Sequence, residues 1–100
     1  MSKNAYTIKW LGFNEKKNFN RVWGHILMKD GRHYVFWGVR GHKIDFKKHS
    51  FNTKSKIPFI ISQHEERGYT QIKPAHYEMI CPKFIEDMEI WFMAHVLKEE

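Results

Sequence analysis

A chain of 100 residues forms one domain and can fill a single hydrophobic core without disulfide staples. Its 42% hydrophobic and 16% aromatic residues exclude an intrinsically disordered chain. The net charge of +6 is uneven: residues 82–100 hold two Lys against five Asp or Glu, which gives −3 there and leaves +9 for residues 1–81. So basic a body favours a polyanionic partner, and nucleic acid is the commonest one.

The cysteine count and the hydrophobic runs give expectations about the compartment. Cys81 is the only cysteine, so neither an intramolecular disulfide nor a cysteine-based metal cage can form, which fits a reducing environment. The N-terminus lacks the pattern of a secretory signal, and no run approaches the ~18 apolar residues of a membrane span. We therefore expect a cytoplasmic protein without a membrane partner.

The first half of the chain predicts an antiparallel meander. The first strand, from Ala5 to Phe13, alternates in polarity, with Tyr6, Ile8 and Trp10 expected on one face. A polar loop to Asn20 follows. Three further strands are then predicted, each joined by a connection too short for a parallel crossover. They are Arg21 to Met28, His33 to Trp37 and His42 to Phe51.

Two turns join these later strands. Lys29-Asp30-Gly31-Arg32 carries an Asp-Gly pair, which supplies the positive φ angles of a tight hairpin. The second turn is a glycine-bounded corner from Gly38 to Gly41, and it carries Arg40.

In the second half the pattern changes to a helical period. A helix is predicted from Lys56 to Arg67, with Ser55 as its cap and Gly68 at its end. Two short β-like runs flank Pro74, namely Tyr69 to Lys73 and His76 to Cys81. A last helix is predicted from Pro82 to about Lys98. The fold class is therefore α+β: one domain over residues 1–100, with an antiparallel sheet of about five strands, one helix packed on a face and a C-terminal helix.

The last helix carries two apolar stripes. One sector holds Phe84, Met88, Trp91, Phe92 and His95, and nearly the opposite sector holds Ile90, Met93 and Leu97. A helix that covers one sheet needs only one stripe, so the second indicates burial on two sides. Either loops of the same chain or a second copy of the chain, in a homodimer formed through residues 84–97, would bury it.

The segment from Tyr34 to Lys48 combines aromatic and basic residues around the glycine corner. Aromatic rings stack on bases or riboses, and cations neutralise phosphates, so this composition suits a nucleic-acid strand. A basic surface hairpin whose Trp37 only packs is the alternative. In the binding hypothesis Trp37 is the stacking platform, and the phosphate ligands are Arg21, Arg40, Lys43, Lys47 and Lys48, with His42 as a further contact when protonated.

Several short motifs resemble those of WGR domains, modules named after a Trp-Gly-Arg motif. Asn20 to Ile26 resembles their opening Asn-Lys-Phe-Tyr-x-Ile strand, and Phe36 to Gly41 resembles the naming motif and its following glycine. The likeness spans residues 5–80, and the helix over residues 82–98 lies outside it. Further matches occur in the same order as in the family, namely Ser50-Phe51, the helix Ile57 to Arg67, Gly68-Tyr69, and Lys73-Pro74-Ala75-His76-Tyr77.

The resemblance implies an antiparallel sheet with a helix on one face, and a DNA-binding function. In poly(ADP-ribose) polymerases, WGR domains grip a DNA end, with the motif Trp against the terminal nucleotide and the Arg among the phosphates. Carried over by position, Trp37 would stack, while Asn20 and Tyr77 would approach the backbone. Val39 occupies the position of the motif arginine in this sequence, and the next residue is Arg40. Because side chains alternate along a strand, Arg40 can project from the opposite face.

Other chemistry is weakly indicated. The histidines form no His-x-x-x-His pair, and no phosphate loop, nucleophile elbow or suggestive carboxylate pair is present, so we predict no metal, no cofactor and no catalytic residues. Three alternatives to DNA binding stay open: a protein-interaction module working through the C-terminal helix, a small-nucleotide binder or hydrolase in the basic corner, and a metal-free nuclease built from His33, His42 and His49.

Overall fold

The computed structural model describes residues 6–18, 20–49, 56–80 and 82–99. They form a five-stranded antiparallel sheet in the order β4-β3-β2-β1-β5 together with three α-helices, which confirms the predicted α+β class. The strands are β1 Tyr6–Asn14, β2 Arg21–Met28, β3 His33–Val39, β4 Asp45–His49 and β5 Tyr69–Gln71. The helices are α1 Ile57–Glu66, α2 Tyr77–Ile80 and α3 Pro82–Glu99, with 3₁₀ turns at Glu15–Lys17 and Pro74–His76.

The hairpin between β2 and β3 forms at the predicted Asp-Gly pair. The Gly31 N–H donates to the Met28 carbonyl (3.0 Å), and the Met28 N–H donates to the Arg32 carbonyl (2.7 Å). The turn closed by the Gly31 N–H has Lys29 and Asp30 at its centre, and neither has a positive φ, whereas Gly31, which follows them, has a φ of +97°. It is therefore a type I turn followed by a glycine bulge and not a two-residue turn with two positive φ angles. Arg32 reinforces it by donating two hydrogen bonds to the Asp30 carboxylate.

A bulge in β1 overturns the simple alternation predicted for that strand. The pairing with β2 shifts register between Ile8 and Trp10. Tyr6 and Ile8 therefore pack on the same side as Leu11, whereas Trp10 joins a separate cluster on the opposite side. An extra residue in one strand of an antiparallel pair reverses the facing of every residue beyond it, and a polarity pattern alone does not show the insertion.

Both faces of the sheet carry a hydrophobic core. The α1-side core consists of Trp10, Trp23, Val35 and Ile57, with Ile60, Ile61 and Tyr69 around it. The α3-side core is larger and includes the buried residues Leu11, Phe13, Val22, Ile26, Tyr34, Phe36 and Ile44 of the sheet and Phe84, Met88, Phe92 and Val96 of α3. The two predicted helices thus cover opposite faces of one sheet.

The C-terminal helix is a structural part of the domain, and its outward stripe is only partly covered. Phe92 is fully buried, and its ring lies 5.0 Å from that of Tyr34 and 5.3 Å from those of Tyr6 and Phe46. On the outer side Met93 is partly buried against the core, but Ile90 and Leu97 are 66% and 67% exposed. Loops of the same chain therefore do not cover those two side chains among the described residues.

The run from His76 to Cys81, predicted as β-like, is helical where it is described. Pro74 opens a 3₁₀ turn, and Tyr77–Ile80 continues it as α2. The fixed φ of proline suits the first position of a helix, which outweighs the weak β preference of so short a run. The neighbouring run Tyr69 to Lys73 is confirmed in part, as β5.

The fourth predicted strand has a different start in the structure, and some predicted residues lie outside the described ranges. The fourth strand begins at Asp45 and not at His42, because a turn closed by the His42 N–H to the Val39 carbonyl (3.0 Å) precedes it. Phe51, Ser55 and Cys81 lie outside the described residues. Within the described part of the chain, none of the helices combines the length and the apolar character needed to cross a membrane.

The buried rings of α3 predict a large stability difference between its two sides. Replacing Phe92 by Ala leaves a cavity among three aromatic rings and should lower the free energy of unfolding by about 3–5 kcal/mol. Leu97→Ala, on the exposed side of the same helix, should change it by no more than about 0.5 kcal/mol. Urea unfolding monitored by circular dichroism measures both, and equal losses would contradict the assignment of the two sides.

Candidate nucleic-acid interface

Trp37 lies at the surface of the sheet. The side chain is 40% exposed, whereas Trp10 and Trp23 are buried in the α1-side core. Trp37 pairs directly with Trp23 on β2 and with Asp45 on β4, and directly opposed residues project from the same face. The indole of Trp37 therefore lies on the α1 side of the sheet, beside the core on that side, and its ring is accessible to solvent.

Two of the predicted phosphate ligands share this face. Val22 packs in the α3-side core, so its neighbour Arg21 projects to the α1 side with Trp23. Lys47 is paired with Val35, which lies in the α1-side core. Both cations are exposed, and in the register of the sheet each is a diagonal neighbour of Trp37, a position typically ~7–8 Å away.

Arg40 and Tyr77 lie on the other face. The Arg40 guanidinium is stacked over the Phe13 ring, 4.7 Å from its centroid, in the α3-side core. Tyr77 packs against the same core. The one-residue shift from the motif position, at Val39, thus turns the arginine away from Trp37. The structure does not bring Trp37, Arg40 and Tyr77 together.

Three of the remaining predicted residues surround the β3–β4 corner, and Lys48 lies toward the other end of β4. Asn20 is exposed, and its carbonyl accepts a hydrogen bond from the Arg40 N–H (2.8 Å), which ties the start of β2 to the corner. His42 and Lys43 are exposed in the connection to β4. Lys48 is also exposed, but it pairs with the buried Tyr34 and so projects to the α3 side. The predicted set therefore divides between two faces and the corner that joins them.

Sequence reasoning missed a trough between α3 and the β3–β4 corner. Two adjacent cavities, of about 280 and 230 Å³, follow each other along α3, and the half-buried Trp91 lines both. Lys83 and Arg40 line the first, and Lys43 and Lys98 line the second. We call this feature the Trp91 trough. The helical spacing of Lys83, Trp91 and Lys98 indicates that these residues share one side of α3. On a helical wheel, however, Trp91 falls in the same sector as the core residues of the helix.

Three histidines lie side by side across the α1-side face of β2, β3 and β4. The His33 ring is 5.5 Å from that of His25 and 5.9 Å from that of His49. His42 lies beyond the other end of β4, so the three histidines of the nuclease alternative are not grouped. Among the described residues no group of three His, Cys, Asp or Glu side chains is arranged to hold a metal ion.

Two histidines have lowered pKa values. Burial lowers the pKa of His49, and the neighbouring His33 and Lys47 charges lower it further. Burial also lowers the pKa of His64, against a hydrogen bond from its Nδ1–H to the Ile60 carbonyl (2.9 Å) that raises it. The His64 ring is stacked on Trp23 at 4.1 Å and helps to close the α1-side core.

These shifts predict that the fold loses stability in mild acid. A histidine in the unfolded chain binds a proton near pH 6.5, whereas His49 and His64 in the folded protein resist it until lower pH. Their full contribution is therefore present above pH 6.5 and is lost as the pH falls through the lowered values. Urea unfolding at about pH 7.5 and 5.5 should show this loss, and it should be smaller in a His49→Gln, His64→Gln variant.

His42→Gln is the matched control, since His42 is exposed in a turn. It should leave the difference between the two pH values unchanged. A double variant with the same pH dependence as the natural chain would show that these two groups are not responsible.

The likeness to WGR domains rests on the motifs alone. The chain matches no protein-family model, no curated protein and no solved structure.

Proposed function

We propose that the protein is a non-enzymatic nucleic-acid-binding module, with DNA as the favoured ligand. The observation that carries the proposal is the exposed indole of Trp37 on a sheet face where Arg21 and Lys47 are its diagonal neighbours. A stacking ring flanked by cations is the arrangement that sequence-tolerant binding of single strands requires. The net charge of +9 on residues 1–81 adds long-range attraction for a polyanion.

Acidic residues lie on both sides of the sheet. Glu86, Asp87 and Glu89 belong to α3 and therefore lie on the side of the sheet away from Trp37. On the Trp37 side, Glu65 and Glu66 are exposed at the end of α1, and Asp45 is directly opposite Trp37 on β4. A carboxylate beside the ring can accept hydrogen bonds from exocyclic base amines, but it weakens attraction for a phosphate at that point.

The proposed mode departs from the one that the WGR resemblance implies. In this structure Arg21 and Lys47, and not Arg40, accompany the exposed Trp, while Tyr77 is held in the opposite core. We therefore do not propose that a Trp-Arg pair grips a DNA end. Stacking of unpaired bases on Trp37, with Arg21 and Lys47 among the phosphates, replaces it.

Removing the Trp37 ring should weaken strand binding without unfolding the protein. Base–aromatic stacking contributes about 1–3 kcal/mol per base, so Trp37→Ala should weaken binding of a labelled single-stranded DNA roughly 5- to 150-fold. Phe59→Ala is the control, because Phe59 is an exposed ring elsewhere, at 66%. Anisotropy titrations at about 50 mM salt measure the effect. Equal affinities for both variants would refute the role of Trp37.

The cations can be tested in the same assay through the salt dependence. Arg21→Gln combined with Lys47→Gln should reduce the slope of log affinity against log salt by about 0.7 for each phosphate that the two side chains neutralise. Lys29→Gln is the control, since Lys29 lies in the hairpin at the opposite end of β2 and β3. An unchanged slope in the double variant would place the phosphates elsewhere.

A second proposal concerns self-association through the outer stripe of α3, defined as Ile90, Ala94 and Leu97. These residues are exposed and lie within one helical face. In an antiparallel pair of α3 helices, Lys98 of one copy comes within about one helical turn of Asp87 of the other, and the two-fold symmetry repeats this contact. This charge complementarity favours a second copy as the occupant.

The outer stripe predicts a concentration-dependent dimer. An Ile90→Glu, Leu97→Glu variant should remain monomeric where the natural chain associates, because carboxylates cannot be buried in the pair without cost. Light scattering over a concentration series measures the mass. Lys9→Glu, a charge change on an exposed β1 residue, is the control. A constant monomer mass for the natural chain would remove the proposal.

A further inference from the structure

Asp45 lies beside the exposed ring of the Trp37 face, which we define as Arg21, Trp37, Asp45 and Lys47. It pairs directly with Trp37 across β3 and β4, an arrangement in which the two Cβ atoms are typically ~4.5–5.5 Å apart. The next residue, Phe46, packs against the α3-side core, so strand alternation places Asp45 on the α1 side with Trp37. Since β4 is the edge strand, Asp45 also lines the second cavity of the Trp91 trough. Asp45 therefore forms the border of the Trp37 face at β4.

The Asp45 carboxylate is available to a ligand. The residue is exposed, and within the described part of the chain its carboxylate takes part in no hydrogen bond or ion pair. Lys47, two residues further along the same face, is therefore beyond ion-pair distance of it. An ionised carboxylate has two acceptor oxygens and no donor. A ligand group that satisfies Asp45 must therefore present hydrogen-bond donors.

The two cations of the Trp37 face direct a strand over the ring and past Asp45. Arg21 and Lys47 lie on opposite diagonals of Trp37, one toward each end of β3. Two diagonals of ~7–8 Å place these cations roughly 15 Å apart, with the indole between them. Asp45 lies beside that line, where its charge repels a phosphate. The base that stacks on Trp37 is thus the part of the strand that meets the carboxylate.

The bases differ in the donors that their Watson–Crick edges present to a carboxylate. Guanine presents two adjacent donors, the N1–H and the N2 amine, which match the two carboxylate oxygens. Adenine and cytosine each present one amine next to a ring nitrogen that is an acceptor. Thymine and uracil present one N–H between two carbonyl oxygens, which a carboxylate repels. Guanine is therefore the base that can give Asp45 two hydrogen bonds.

We propose that Asp45 makes the Trp37 face selective for guanine in an unpaired strand, with the base stacked on Trp37 and its Watson–Crick edge on the Asp45 carboxylate. A duplex occupies that edge in base pairs, so the selectivity applies to single strands and loops. The inference rests on the proposed strand binding at Trp37. It adds to that function the base that is recognised and the residue that recognises it.

Labelled oligothymidylates that carry one central guanine or hypoxanthine test the selectivity by fluorescence anisotropy. The guanine strand should bind roughly 5- to 150-fold more tightly than the all-thymine strand, which is the effect of one bidentate pair. Hypoxanthine keeps the N1–H and lacks only the N2 amine, so its strand should lose most of that gain. Asp45→Asn should bring the guanine and hypoxanthine strands to nearly equal affinity, because an amide has a single acceptor oxygen and cannot use both donors.

Glu86→Gln is the matched control, since it removes one exposed carboxylate from α3 on the opposite side of the sheet and should leave the guanine preference intact. A preference that persists in Asp45→Asn would overturn the proposal. If Trp37→Ala weakens binding of every strand while the natural chain binds guanine and hypoxanthine strands equally, strand binding at Trp37 stands and guanine selectivity is wrong. The absence of binding by any strand would overturn both. Thermal melts of each variant distinguish a loss of affinity from a loss of fold.

Discussion

The bulge between Ile8 and Trp10 is the constraint on which the two-sided packing of the sheet depends. Because of the bulge, Tyr6, Ile8, Leu11 and Phe13 of β1 pack on the α3 side of the sheet, whereas Trp10 of the same strand packs on the α1 side. Glycines make room for the rings on each side. A Cβ on Gly12 would clash with the Trp10 ring, and one on Gly24 would clash with the Phe36 ring. Aromatic rings thus cover backbone on both faces, which a domain of this size needs in order to bury enough apolar surface.

The same two-sided packing determines where the candidate binding side chains lie. In the register of the sheet, Arg21, Trp37 and Lys47 project to the α1 side and Lys48 projects to the α3 side. At the β3–β4 corner the chain turns, and the Arg40 guanidinium lies over the Phe13 ring. The cations that are clustered in the sequence between Arg40 and Lys48 are therefore distributed over two surfaces. Two surfaces with a solvent-accessible tryptophan result, an open one on the sheet at Trp37 and a narrow one at Trp91.

The C-terminal helix combines three roles because its sides meet three environments. Phe84, Met88, Phe92 and Val96 are buried in the α3-side core, Trp91 and its charged neighbours line the trough, and Ile90 and Leu97 face solvent. Removing the helix would expose the core, so its truncation cannot separate a partner surface from a binding face. Single substitutions on each side can, because side chains that share no contacts contribute almost independently.

The sequence by itself determined the number and order of the strands of the meander, the Asp-Gly hairpin, the two long helices and the basic character of the body. These follow from local chemistry: side-chain periodicity, turn residues and charge. Only the tertiary structure decided that Trp10 leaves the face of Tyr6, that His76 to Ile80 is helical and that Trp91 lines a trough. It also decided that Arg40 and Trp37 point to opposite sides. The reason is that a one-residue bulge or turn reverses the facing of side chains without leaving a mark in composition, and the contacts that stabilise it come from residues far away in the chain.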